Sequence, residues 1–387
     1  MLHAEKINYF DTADIALLDD LALIMGDKCG PIDPEVKVIV TIPAKNEEDG
    51  IYKSLRSLAL QTDLYGKKVA PGLYHILVLC HDCSDGTMDE CMDFSIEHPD
   101  IGISVLEVRD PVVNNVGAVR RIGMQIAQSK IPDSRGFIAM TDADTIVHPK
   151  WISNLLGYLN SDYDLICGKI LTKGEPLDRT VEQVLAMKKT YNTYRLELEN
   201  TLAPIPWDVF PKHCDNSGPN MAVRADVYEE VGGMHPLGFC EDINFYDTVI
   251  WQGHKVRHCP MTVVTTSTRT LARTPWGFGA EIGLWRQGGA DSVKVEGLAA
   301  LLARYSINGL LKAHIGAPQV ATRMAIMELS GIGAVQLQEY VDTYTTWYAV
   351  VHKIEKHLDG CKEWRKRFPL VPIREACRQL AAYLAST

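Results

Sequence analysis

The chain has 387 residues, 46% of them hydrophobic and 23% charged, which suits a globular protein of two or three ordinary domains. Its formal charge of −10 argues against nucleic acid or an anionic membrane as the main partner, while leaving room for a local cationic phosphate pocket. No apolar run approaches the roughly 18 residues of a membrane span, and "MLHAEKINYFDTADIALLDD" carries acids where a secretory signal needs a basic end and an apolar block, so a cytoplasmic location without a membrane span is expected.

In chain order, residues 1–35 read as an N-terminal arm with a short amphipathic helix around "ADIALLDDLALIM". The first strong strand is "VKVIVTIPA", Val36 to Ala44, rich in β-branched residues and closed by Pro43. A helix with an acidic first turn follows, with Ile51, Leu55, Leu58 and Leu60 on its apolar face. Tyr74 to Cys80 is a second strand running into the turn "HDCSDGT", and a helix is expected from Met88 to about Glu97. "ISVLEV" is a third strand, "GAVRRIGMQIAQS" a third helix and "GFIAMTDAD" a fourth strand. Alternation of this kind builds a parallel sheet with right-handed crossovers, and ligands of such sheets bind beyond the carboxyl ends of the strands. One crevice should therefore collect Pro43 to Glu47, His81 to Asp85 and Asp142 to Asp144.

Asp142-Ala143-Asp144 places two carboxylates where they repel each other and resist burial unless a positive charge accompanies them. A solvated or capping strand end and a divalent cation both answer that need. The ten cysteines are scattered along a long chain without a signal peptide, so reduced thiols are expected. Cys80 and Cys83 have CxxC spacing, but His254, His258 and Cys259 do not supply a convincing second half for a zinc site.

Five co-linear motifs, "VTIPAKNEED", "LVLCHDCSDGT", "NVGAVRRIGM", "FIAMTDAD" and "CEDINF", resemble the family 2 glycosyltransferases of GT-A fold, in the bacterial, soluble, non-processive manner. The resemblance implies an α/β, Rossmann-like, mixed and mostly parallel sheet flanked by helices. It also implies a nucleotide-sugar donor, UDP-linked ahead of GDP-linked, a hydroxyl acceptor of unknown identity, and Mn²⁺ or Mg²⁺. Pro43, Ala44 and Glu47 match the segment under the base and ribose. His81 or Asp82 would meet the base, and Arg120 the pyrophosphate. Asp144 would ligate the metal directly, and Asp142, beside Ala143, would contact ribose or metal-bound water. His258 is a further candidate for the metal shell. The turn "HDCSDGT" departs from the commoner "DDGSTDGT" and explains Cys83 as the filler of a small-residue turn position.

The second acid pair, Glu241-Asp242, opens an apparent helix. The resemblance assigns Asp242 as the base of an inverting transfer, with Glu241 orienting the acceptor or sharing the work. Two acids in a first helical turn also satisfy the helix dipole with no catalytic role. Gly218 and Asn220 in "NSGPNMAVRADVY" match an acceptor-side segment. Downstream, Arg269 and Arg273 belong to a loop able to close over the diphosphate, Trp276, Trp285 and Arg286 offer a stacking surface for sugar, and Arg269, Arg273 and Trp276 are counted on the acceptor side. The processive "QxxRW" element is missing from "GLWRQGG". Expected boundaries are 36–290 for the transferase domain, divided at 145/146 into nucleotide and acceptor halves, and 291–387 for a helical region able to mediate homo-oligomerisation. A pyrophosphorylase-like nucleotidyltransferase and a non-catalytic carbohydrate-binding protein are the rival classes. The first would want a Gly-rich, basic phosphate loop near the N-terminus, which the sequence lacks.

Overall fold

The computed structural model describes residues 12–173, 178–267 and 278–386. In chain order it runs α1 (Thr12–Lys28), β1 (Val38–Ala44), α2 (Ile51–Ala59), β2 (Tyr74–His81), α3 (Thr87–Glu97), β3 (Ile103–Val108), α4 (Val116–Lys130), β4 (Phe137–Met140), β5 (Ile146–Val147), α5 (Trp151–Leu156) and β6 (Leu165–Lys173). Next come α6 (Arg179–Leu202), β7 (Met221–Arg224), α7 (Ala225–Glu230), α8 (Glu241–Trp251) and β8 (Val256–Ser267). The C-terminal helices are α9 (Phe278–Ser292), α10 (Leu298–Gly316), α11 (Val320–Ser330), α12 (Ala334–Thr343), α13 (Trp347–Gly360), α14 (Lys362–Arg367) and α15 (Ile373–Leu384).

The chain divides into two compact units. The first comprises residues 1–173, 215–249 and 254–267 and holds a mixed eight-stranded sheet in the order β3-β2-β1-β4-β7-β6-β8-β5. Strands β1 to β4 pair in parallel, as their alternation with helices predicts, and β7 then enters antiparallel to both β4 and β6. β8 returns parallel to β6, so parallel ladders remain the majority. β1 and β2 are buried almost throughout because both faces are covered, which explains their near-continuous apolar runs.

Two expectations shift. The helix after β1 begins at Ile51 and has no acid in its first turn, so Glu47 lies in the loop before it, and Leu60, just past its end, is exposed. The N-terminal helix does not stand apart as an arm: α1 buries Leu18, Ala22 and Met25 and lies against α4.

The second unit comprises residues 174–214, 250–253 and 268–387, and the regular structure of its described residues is helical apart from a two-residue strand pair, Lys294–Val295 with Val371–Pro372. One of its apolar clusters joins Val181, Val184, Trp285, Tyr305, Ile373 and Leu380 from α6, α9, α10 and α15. Another joins Ile307, Leu311, Ile326, Leu337, Ile354 and Trp364 from α10 to α14.

Candidate active site

The carboxyl ends of β1, β2 and β4 lie side by side, with Ala44 opposite Cys80 and Thr41 opposite Met140. The loops after β1 and β2 are laced together. Asn46 Oδ1 accepts the Ser84 amide at 2.8 Å, and the Glu47 amide donates to Thr87 Oγ1 at 2.7 Å. The Glu48 amide donates to Asp85 Oδ2 while its own Oε2 accepts the Gly86 amide, a reciprocal pair at 3.2 and 2.8 Å. Cys83 points its thiol to the Ala44 carbonyl at 3.5 Å, so it acts as a turn residue, and all ten cysteines are free thiols.

His81 is buried, and its Nε2 donates to the Val113 carbonyl at 2.6 Å, which fixes the proton on that nitrogen. Asp82 adopts a left-handed backbone at φ 46° and sets its carboxylate 3.1 Å from His81 Nε2 and 3.8 Å from Lys45 Nζ. Beside them opens a cavity of about 390 Å³ whose walls include Arg109, Asp110 and Asn114.

The charged centre is Arg120. Its side chain is only 6% exposed, yet its guanidinium meets two acids from distant parts of the chain. Nη2 donates to Asp142 Oδ1 at 2.5 Å and Nε to Glu241 Oε1 at 3.1 Å, spanning 22 and 121 residues of sequence. Nη1 is buried and has no hydrogen-bond partner among the described residues. Gly218 makes room for this arrangement, since a Cβ there would lie 2.7 Å from Arg120 Nη2. The Gly218 amide also donates to Asp242 Oδ2 at 2.7 Å, and the Ile243 amide to Oδ1 at 2.8 Å. Burial pushes Glu241 up to about 7; Arg120 opposes that shift and the neighbouring Asp242 adds to it. Cys240, just before the acid pair, is in the left-handed region at φ 56°, a strained position of the kind that gathers at functional sites.

Asp144 is half-buried at the loop after β4, with the Thr266 hydroxyl 3.5 Å from Oδ1. Among the described residues no three His, Cys, Asp or Glu side chains cluster as a closed metal site. A single exposed-edge carboxylate suits a hard cation that completes its shell with phosphate and water.

The structure bears on three expectations. His258 does not reach Asp144: the β6 partners of His258 and Thr266, Cys167 and Thr172, are five residues apart, roughly 17 Å along a strand. Asn220 is buried, and its side-chain amide binds Trp151 Nε1 and the carbonyls of Lys169 and Thr262, so the side chain shapes the site from within. Trp285 is buried under Lys188 and presents no sugar platform, whereas Arg286 is exposed and paired with Asp178. Arg269, Arg273 and Trp276 lie outside the described residues.

Sequence reasoning missed the interlock of the Glu48 and Asp85 loops and the burial of Arg121. The one available signal was the adjacency of two arginines within the mostly apolar first half of the helix sequence "VGAVRRIGM".

No curated protein matches the chain at a significant level. Among solved structures it is similar to the mannosyltransferase PcManGT from Pyrobaculum calidifontis in complex with GDP-Man and Mn²⁺, at 14% identity and TM-score 0.46, covering 96% of each chain. It is similar to S. aureus TarS 1–349 in complex with UDP-GlcNAc, at 11% identity and TM-score 0.46 over 84% of this chain and 92% of that one. GalNAc-T7 with UDP, GalNAc and Mn²⁺ matches at 12% identity and TM-score 0.47, over 87% of this chain and 58% of that one. Similarity this low says nothing about donor or acceptor. The model of glycosyl transferase family 2 matches residues 39–232, half of the chain, and the sheet that carries those residues is of the expected mixed, mostly parallel kind: the chain belongs to glycosyl transferase family 2 and is a glycosyltransferase.

Proposed function

We propose that the enzyme moves a hexosyl group from a UDP-sugar to an acceptor hydroxyl with inversion at the anomeric carbon, assisted by Mn²⁺ or Mg²⁺. The observation that carries this reading is the meeting of Asp142, Glu241 and Asp242 around Arg120 and Gly218, where a donor-side acid and an acceptor-side acid pair share one buried cation. The nucleoside would occupy the cavity beside Lys45, His81 and Asp82, with Pro43, Ala44 and Glu47 beneath base and ribose.

Two backbone amides, of Gly218 and Ile243, donate to the Asp242 carboxylate and orient it. As the acceptor oxygen bonds to the anomeric carbon, Asp242 takes its proton, and the bond from that carbon to the diphosphate oxygen breaks on the opposite face. Glu241, held by Arg120, orients the acceptor hydroxyl. Arg120 is sequestered by its two acids, so we assign it the alignment of Asp142 and Glu241, with its remaining buried Nη1 hydrogens available to one donor oxygen. Asp144 would hold the metal, which, when bound, neutralises charge on the leaving diphosphate.

Thermal shifts with UDP, GDP and their hexose conjugates, with and without Mn²⁺, test this reading. UDP compounds should stabilise the protein, more so with Mn²⁺, and Asp144→Asn should abolish the Mn²⁺ increment while the nucleotide-free melting temperature is kept. The absence of any nucleotide shift, or an unchanged Mn²⁺ increment in the variant, would overturn it.

A further inference from the structure

Arg121 stands beside Arg120 in α4, but successive helical residues point about 100° apart, so its guanidinium leaves the helix in another direction. It is equally buried, at 5% exposure of the side chain. Nε and Nη2 donate to the two carboxylate oxygens of Asp19 in α1, each at 2.8 Å, a bidentate pair. Nη1 donates to the carbonyls of Gly232 at 3.1 Å and Met234 at 2.9 Å. Both carbonyls can face one nitrogen because Gly232 and Gly233 are left-handed, at φ 80° and 75°, and a Cβ on Gly233 would lie 2.9 Å from Nη1.

The gripped segment leads directly into the acid pair. Three residues after Met234, Leu237 rests on the first turn of α4, where a Cβ on Gly117 would come within 2.2 Å of the Leu237 carbonyl oxygen. Glu241 and Asp242 then open α8. A further link runs through Tyr228, whose hydroxyl donates to the Arg121 carbonyl at 3.5 Å and whose ring centroid lies 5.8 Å from that of Phe245 in α8. α4 thus holds the acids twice: Arg120 grips Glu241 itself, and Arg121 with Gly117 fixes the chain that delivers it.

We infer that Arg121, anchored by Asp19, is a positioning residue for the Glu241–Asp242 pair, so that helix α1 is a working part of the active site. The inference rests on reading that pair as the acceptor-side acids. Four of the guanidinium's five N–H groups are committed to Asp19, Gly232 and Met234, which binds side chain, helix and turn into one rigid unit. A buried ion pair is poor evidence for stability, but geometry is what catalysis needs, and displacement of a reacting group by about 1 Å can cost around a hundredfold in rate.

The test uses the full chain with Asp19→Ala, Asp19→Asn, Asp19→Glu and Arg121→Lys. Amide hydrogen exchange is followed at Gly218 and across 236–245, with β1 as the internal reference. Turnover is followed as hydrolysis of whichever UDP- or GDP-hexose the wild type accepts. Asp19→Ala should accelerate exchange at 236–245 about tenfold and leave β1 unchanged. It should lower kcat about tenfold with donor KM within about twofold, and Asp19→Glu should recover at least half of the lost kcat. Unchanged local exchange, or exchange that rises uniformly through the first unit with no kcat-selective loss, would overturn the inference. If Asp19→Ala does not fold, Asp19→Asn and Arg121→Lys decide on the same criteria. If the wild type transfers no sugar to water, the exchange measurement alone judges the positioning, by the same local-against-uniform criterion.

Discussion

Two glutamates, one in each unit, Glu241 buried and Glu296 half-buried, meet arginines and emerge with opposite acidity. Glu296 of the helical unit accepts from Arg304 Nε and Nη2, Arg365 Nη1 and Trp364 Nε1, at 2.8 to 3.0 Å. Burial alone would raise it, but those donors outweigh burial and hold it below the usual carboxylate range. Glu241 of the sheet unit has one arginine, shared with Asp142, and a second carboxylate next door, so burial wins and it rises to about 7. In the helical unit four N–H donors converge on the one Glu296 carboxylate. The other leaves an under-satisfied acid beside Asp142 and Asp242, which is the condition under which protons move near neutral pH.

Asp242→Asn applies the largest expected effect to this contrast. The amide keeps shape but loses basicity, so turnover should fall by about two to four powers of ten, roughly 3–5 kcal/mol in barrier, while nucleotide affinity stays within about twofold. Single-turnover kinetics and nucleotide titration check it, and product NMR should show the anomeric configuration opposite to the donor's. Retention, or normal turnover by the variant, would break the proposed mechanism.

How much of this was legible in the sequence follows from which forces act locally. The apolar runs of β1, β2 and β4 and the acids that end them are set by short-range patterning, so the crevice could be placed before any coordinate was known. The acid pair at the head of α8 was visible for the same reason. Arg120 and Arg121 show the limit. A solvated face and a buried bridge look alike in one dimension, and the partners that allow burial sit 22, 102 and 121 residues away. The side-chain role of Asn220 was not legible because its three hydrogen bonds, to Trp151, Lys169 and Thr262, come from chain turns that no local pattern connects. The helical unit carried amphipathic stripes and no chemistry, so its helices could be foreseen in part and its Glu296 hub could not.

Glu296→Gln applies the next largest effect. It removes the carboxylate that buried Arg304 and half-buried Arg365 share and leaves them only the exposed Asp359 as a shared carboxylate, which costs on the order of 3 kcal/mol in unfolding free energy at pH 8. The nucleotide-induced thermal shift, expressed relative to the variant's own baseline, should be unchanged. A lost shift would mean that the Glu296 network reaches the donor site after all and that the two regions are not separate in function.

The smallest effect is the sharpest, because it predicts a change of sign. Glu241 titrates near 7 in the folded protein against an ordinary value near 4.5, so between those pH values the native state holds the extra proton and stability falls as pH rises. Glu241→Gln removes that titration. Relative to wild type it should gain on the order of 1–3 kcal/mol between pH 5 and pH 8, read as the change in the melting difference converted at constant ionic strength. Glu296 is depressed in the folded state, so its contribution is present above its unfolded value and lost as pH falls through the folded one. The penalty of Glu296→Gln should therefore shrink on acidification, the reverse of the Glu241→Gln trend in which the advantage grows with pH. Parallel pH trends for the two variants would mean that Arg120 satisfies Glu241 as fully as Arg304 satisfies Glu296, and the contrast between the two acids would be gone.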